Sequence, residues 1–197
     1  MQSLYYFIVK PLNDRYDNTR RVADTDLIIN SGIEDHRFIS KKAVVVSTPA
    51  AYDTKINIGD ELYIHHNIFR RWYDQKGKER NSSTHFKDDL YFVSLEQIYM
   101  YNLKPNLDYC FVKPLKNQSV LENRKEQPNV GIVKYSNKSL EALKITPGTL
   151  ITFTPNSEFE FIIEGERLYC MKSNDIALTH EYQGNEEENN PSWAKSS

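Results

Sequence analysis

A seven-residue phrase occurs twice in this chain. Tyr6-Phe7-Ile8-Val9-Lys10-Pro11-Leu12 returns as Tyr109-Cys110-Phe111-Val112-Lys113-Pro114-Leu115. An internal repeat constrains architecture strongly, because both copies must specify the same local structure. Two further pairs follow in the same order. Ile56-Asn57-Ile58-Gly59-Asp60-Glu61-Leu62 answers Ile145-Thr146-Pro147-Gly148-Thr149-Leu150-Ile151, and Leu90-Tyr91 with Ile98 answers Leu168-Tyr169 with Ile176. Lys113 lies 103 residues after Lys10, Gly148 lies 89 after Gly59, and Leu168 lies 78 after Leu90. The halves therefore share an order of elements, and the first half has the longer loops.

At 197 residues, two domains of about 80–100 residues fit the usual range. Such small domains bury little surface alone, so association is expected. Thirteen Tyr and nine Phe, with many Val and Ile, favour strands. A net charge of −2 argues against a large electrostatic footprint for nucleic acid. No apolar run approaches the roughly 20 residues that span a membrane, and the N-terminus lacks a basic-then-apolar secretory pattern. Cys110 and Cys170 each sit in an apolar strand pattern, too far apart to read as a metal knuckle or redox pair. They read as buried and reduced, which implies a cytoplasmic setting. His65 and His66 are adjacent and would point to opposite faces of a strand. No metal site, cofactor motif or catalytic constellation is read from the sequence.

Residues 4–12 read as a strand closed by Pro11, which cannot donate the next ladder bond. Residues 13–26 have loop composition. Leu27-Ile28-Ile29 forms a short apolar island before the turn signal Asn30-Ser31-Gly32. Strands are expected at 43–47, 61–65 and 90–93, with a long loop at 66–87. The expected organisation is a first domain at 1–101, a linker at 102–108 and a second, shorter domain at 109–182. A disordered acidic tail is expected over 183–197, because Glu186-Glu187-Glu188-Asn189-Asn190-Pro191 has little apolar area to bury. In the second half, strands are expected at 109–115, 130–135, 149–154, 158–163 and 167–171, with a hairpin at Glu164-Gly165-Glu166. Many short strands with turn punctuation indicate an all-β chain of small barrels, with no amphipathic helix.

The phrases Val112-Lys113-Pro114-Leu115, Gly131-Ile132-Val133 and Pro147-Gly148-Thr149-Leu150-Ile151-Thr152-Phe153 resemble the co-chaperonin family, the GroES fold. So does the closing stretch, from Gly165-Glu166-Arg167-Leu168-Tyr169 to Asp175-Ile176. The first half carries the same series in Ile8-Val9-Lys10-Pro11-Leu12, Ala43-Val44-Val45-Val46 and Ile58-Gly59-Asp60-Glu61-Leu62. The resemblance covers about residues 5–101 and 109–181 and implies two tandem GroES-like β-barrels. The tandem layout is similar to the chloroplast double co-chaperonin. The long first-half loops look like those of co-chaperonin-like proteins of T4-like bacteriophages, which would place the chain in a host cytoplasm.

The resemblance implies a function without covalent chemistry: binding a GroEL-type chaperonin ring and helping to enclose an unfolded client, a capsid protein if the chain is phage-encoded. Family members dock through an apolar tripeptide in the loop after the first strand, and Leu27, Ile28 and Ile29 stand at that place. The family's glycine pair is replaced by Thr25-Asp26, and the island also reads as an ordinary packed strand. Phe69, Arg70, Arg71 and Trp72 stand where the family has a roof hairpin. Basic and aromatic residues together suit a protein contact, loop packing, or single-stranded nucleic acid. The alternative function is a phage structural or assembly protein that reuses the barrel as a protein-interaction module. Family rings imply a homo-oligomer.

Overall fold

The structure is a computed structural model that describes residues 3–16, 19–22, 25–28, 35, 37–117, 126–181, 184 and 186–196, with the side chains of 19–22, 25–28, 195 and 196 excepted. It is all-β, built from antiparallel sheets, and divides into two compact units, Met1–Leu103 and Lys104–Ser197.

The first unit runs β1 (Phe7–Pro11), β2 (Thr19–Val22), β3 (Thr25–Ile28), β4 (Lys42–Ser47), β5 (Glu61–Ile64), β6 (Arg71–Tyr73), β7 (Glu79–Asn81), β8 (His85–Lys87), β9 (Leu90–Val93) and β10 (Ile98–Tyr101). The boundary holds β11 (Lys104–Pro105). The second unit runs β12 (Tyr109–Lys116), β13 (Glu126–Tyr135), a short helix α1 (Lys138–Ala142), β14 (Leu150–Phe153), β15 (Phe159–Ile163), β16 (Glu166–Lys172) and β17 (Ile176–His180). Within the stretch 102–108 expected as a linker, the chain turns through Asn102 and Leu103, both at positive φ, into β11.

The main sheet of the first unit has the order β11-β10-β5-β4-β1-β9-β8, and that of the second has β17-β14-β13-β12-β16-β15. Without the boundary strand, and counting only the strands of each main sheet in chain order, both orders are the same: sixth, third, second, first, fifth and fourth. The register agrees residue by residue. Val9 faces Val45 and Pro11 faces Ala43; Val112 faces Val133 and Pro114 faces Gly131. Each first strand slips register one residue before its valine. Val9 also faces Tyr91, as Val112 faces Tyr169. Gly59 N donates to Val45 O at 2.9 Å and Gly148 N donates to Val133 O at 2.8 Å, at φ values of 91° and 93°. Only glycine adopts such a φ without strain. The offsets of 103, 89 and 78 read from the sequence are thus the offsets of paired strands. Among the described residues, no ladder closes either sheet into a barrel.

The cores follow from strand alternation. Phe7, Val9, Val45, Leu62, Ile64, Tyr91, Val93 and Ile98 bury together in the first unit. Cys110, Val112, Val133, Ile151, Phe153 and Met171 do so in the second. Both cysteines are buried and free. The second core also takes Leu140 from α1, whose N-terminus is capped by Asn137 accepting from Leu140 N at 3.0 Å. The sequence has no periodic signal for so short a helix.

The tail differs from expectation. The described residues 186–196 are not free chain: Glu188 bridges to Leu115, and a short 3-10 turn at Ser192–Ser196 buries Ala194. Backbone pairing and two lysines hold a segment that apolar burial alone would not.

Candidate functional site

Two segments of the first unit have no strand counterpart among the described residues of the second. The first is the hairpin β2–β3, with Thr19 facing Ile28 and Val22 facing Thr25. It forms a two-stranded sheet of its own. Leu27 and Ile28 therefore lie on β3, opposite Arg20 and Thr19. Ile29 lies outside the described residues. The polar stretch read as loop is partly strand, because pairing with a neighbour overrides weak local propensity.

The second segment is the hairpin β6–β7, within the stretch 66–87 read as a long loop. Arg71 faces Asn81, Trp72 faces Arg80 and Tyr73 faces Glu79. Its turn is built by Asp74, whose carboxylate accepts from Lys76 N at 3.0 Å and Lys78 N at 2.9 Å and from Arg80 Nε at 2.9 Å. The backbone donor of Lys78 is the main reason the Asp74 carboxyl sits below the usual range. Gly77, at φ 73°, completes the reversal.

The four predicted roof residues separate. Phe69 is fully buried and packs edge-on against Tyr91 at 4.9 Å. It is a core residue, not a partner contact, because the 3-10 turn His66–Ile68 turns it inward. Arg71 is half-buried, bonded to Glu79 at 3.1 Å, with its guanidinium 4.6 Å from the Tyr16 ring centroid. Arg70 is exposed, Trp72 is 41% exposed and Tyr73 52%. Arg70, Lys76 and Lys78 make no ion pair among the described residues. The hairpin thus exposes aromatic rings on its strand and, at its base and turn, cations that make no ion pair among the described residues.

Sequence reasoning missed the residues that organise this region. Arg15 Nη1 donates to Asn81 Oδ1 at 2.8 Å and Nη2 to Arg70 O at 3.1 Å. Arg71 N donates to Tyr16 Oη at 2.8 Å. Ser40 N donates to Arg15 O at 3.1 Å, and Tyr16 bridges to Ile39. One node therefore closes the neck of the 17–38 segment and the base of the β6–β7 hairpin together. Its partners Arg70, Arg71 and Asn81 are more than 50 residues away in sequence, so no local pattern points to it.

His65 and His66 do not point apart. Their rings stack at 4.5 Å, because His65 caps the 3-10 turn that His66 begins. Burial is the main cause that lowers the His65 pKa, with Lys41 adding to it. Among the described residues no helix is long and apolar enough to cross a membrane. In the second unit, residues 118–125, including Val120 and Leu121, lie outside the described residues.

No protein-family model matches the sequence, and no curated protein is similar to it at a significant level.

Proposed function

We propose that this chain is a co-chaperonin-like protein, two GroES-like barrels in tandem, whose first unit lends an apolar hairpin to a GroEL-type chaperonin ring. The observation that carries this reading is the β2–β3 hairpin. It stands outside the main sheet, between the first two strands of a duplicated six-strand pattern, and bears Leu27 and Ile28. Burying each apolar side chain of the hook supplies about 1.5–3 kcal/mol. Ordering the backbone that presents it costs about 1–2 kcal/mol per residue. A single hook binds weakly, and a homo-oligomer multiplies it through effective concentration. The client is an unfolded protein, a capsid protein if the chain is phage-encoded, and the compartment is cytoplasmic. The chain itself makes and breaks no covalent bond.

The test is co-sedimentation with a chaperonin ring in the presence of nucleotide. Wild type is expected to sediment with the ring. Ile28→Asp is expected to lose at least tenfold in binding with an unchanged melting temperature. Absence of wild-type binding, or full binding by the folded variant, overturns the reading.

A second reading is a phage structural or assembly protein that uses the β6–β7 hairpin, favoured by exposed Trp72 and Tyr73 and by exposed Arg70, Lys76 and Lys78, which make no ion pair among the described residues. Aromatic and Arg residues are the usual anchors of protein interfaces. Recovery of the chain from purified virions, with no ring binding, would select it.

A further inference from the structure

The sequence leads one to expect a free acidic tail, and the structure holds it against the second unit through an antiparallel bridge at the edge of β12. β16 pairs with β12 from Tyr109 to Val112. Beyond Val112 that edge of β12 passes to the tail. Lys116 N donates to Glu187 O, and Asn189 N donates to Pro114 O, both at 2.8 Å, around an antiparallel bridge between Leu115 and Glu188. Pro114 offers no N–H, so the carbonyl-only position is met by an incoming amide.

Side chains then read the tail's chemistry. Lys113 Nζ bonds both Glu188 carboxylate oxygens at 2.8 and 2.9 Å, and Lys116 Nζ bonds Glu187 Oε2 at 2.9 Å. Asn189 Nδ2 donates to Glu126 Oε1 at 2.8 Å. Arg167 N donates to Asn190 Oδ1 at 3.2 Å, and Asn190 Nδ2 donates to Gly165 O at 3.2 Å. Four successive residues, Glu-Glu-Asn-Asn, each find a specific partner. That is the pattern of a strand-accepting site: backbone bonds supply attachment and side chains supply selectivity.

We propose that Lys113, Leu115, Lys116, Glu126 and Arg167 form a receptor for an extended acidic segment, filled here by the chain's own tail and exchangeable for the same tail of a second copy. Three observations support exchange. Every contact of the segment described above would be reproduced if it crossed to an identical unit, so reciprocal exchange costs no interaction. The linker between β17 and Glu186 contains Gly184 at φ 80°, a position suited to redirecting chain. The charged contacts are solvent-reached, with Glu187 69% and Glu188 48% exposed, so water and salt weaken them and the strap can open. The equivalent lysine of the first unit, Lys10, is exposed and makes no ion pair among the described residues; the receptor belongs to the second unit alone.

The experiment uses two full-length variants, Lys113→Glu and Glu188→Lys. Each alone places like charges at its own strap and, in a homodimer, across the exchanged one. Mixed together, both crossed straps regain opposite charges. Light scattering should give the mixture twice the mass of either variant alone, the exchange adding one 23.1 kDa protomer per strap pair. A mixture with the same mass as the separate variants overturns the exchange. Should Lys113→Glu fail to fold, a fluorescein-labelled peptide of residues 184–196 is titrated into full-length wild type and Glu188→Lys. Binding at least tenfold tighter to Glu188→Lys supports the receptor, and equal binding to both overturns it.

Discussion

Arg15 Nε donates to the carbonyl oxygen of Phe69 at 2.6 Å across 54 residues of sequence. The same guanidinium reaches Arg70 O and Asn81 Oδ1 and lies 5.2 Å from the Tyr91 ring centroid. A planar fork with several fixed donors suits this convergence of acceptors, and a lysine ammonium does not. The two excursions of the first unit are therefore one mechanical element.

Arg15→Ala is expected to cost about 1.5–3 kcal/mol of stability, the range for hydrogen bonds from a charged donor, placed low because the site is part exposed. Urea unfolding measures this as a lower midpoint at constant slope. Arg15→Lys should recover less than half of the loss. Amide exchange should quicken in both 71–81 and 39–40. A change confined to one of the two segments would show that the node does not couple them.

Gly131 and Ala43 hold the same place in the two sheets, opposite Pro114 and Pro11. A Cβ at Gly131 would lie 2.4 Å from Val112 Cγ1 and 2.6 Å from Lys113 O. The backbone oxygen cannot swing away as a side chain can. Gly131→Ala should destabilise by about 1–3 kcal/mol, the usual cost of overpacking. Ala43→Gly should cost about 1–2 kcal/mol, from chain entropy and from the loss of a fully buried methyl. Thermal melts check both variants; a Gly131→Ala protein as stable as wild type would refute the close approach at Gly131.

Burial pushes the Cys110 thiol up to about 12, with the negative charge of Asp175 adding to it. Tyr169 is also raised, by burial first and then by its hydroxyl donating to Glu126 Oε2 at 2.6 Å. In both, the folded state favours the protonated form. The stability so gained is present below the unfolded pKa, 9.0 for the thiol and 10.0 for the phenol, and is lost as pH rises through the folded pKa. The urea midpoint should therefore hold from pH 7 to 9 and fall from 9 to 12. Cys110→Ala should flatten the first part of that fall. A thiol reagent at pH 8 should modify neither cysteine in the native protein and both after unfolding.

The Lys-Pro phrases, the Pro-Gly and Gly-Asp turns and the repeated Leu-Tyr pairs were legible because each is a local steric instruction. Proline withholds one ladder donor while its carbonyl still pairs, and glycine permits φ near 90°. Three such pairs in one order located the strands of both units. The 66–87 excursion was legible as an insertion but not as a surface. Phe69 and Trp72 are both large aromatics in one short stretch, and neighbouring chain alone does not say which turns inward. The tail was misread for a related reason: its composition disfavours a core, yet its order comes from an edge that β16 leaves at Val112.

The sequence by itself determined that the chain is all-β and duplicated, because strand period, turn chemistry and repeated phrases act over a few residues. Tertiary structure alone decided three things: that Arg15 joins two distant excursions, that β3 pairs outside the main sheet, and that an acidic tail completes β12. Each rests on partners far apart in the chain, and no local preference records which distant donor will meet which acceptor once the sheets have formed.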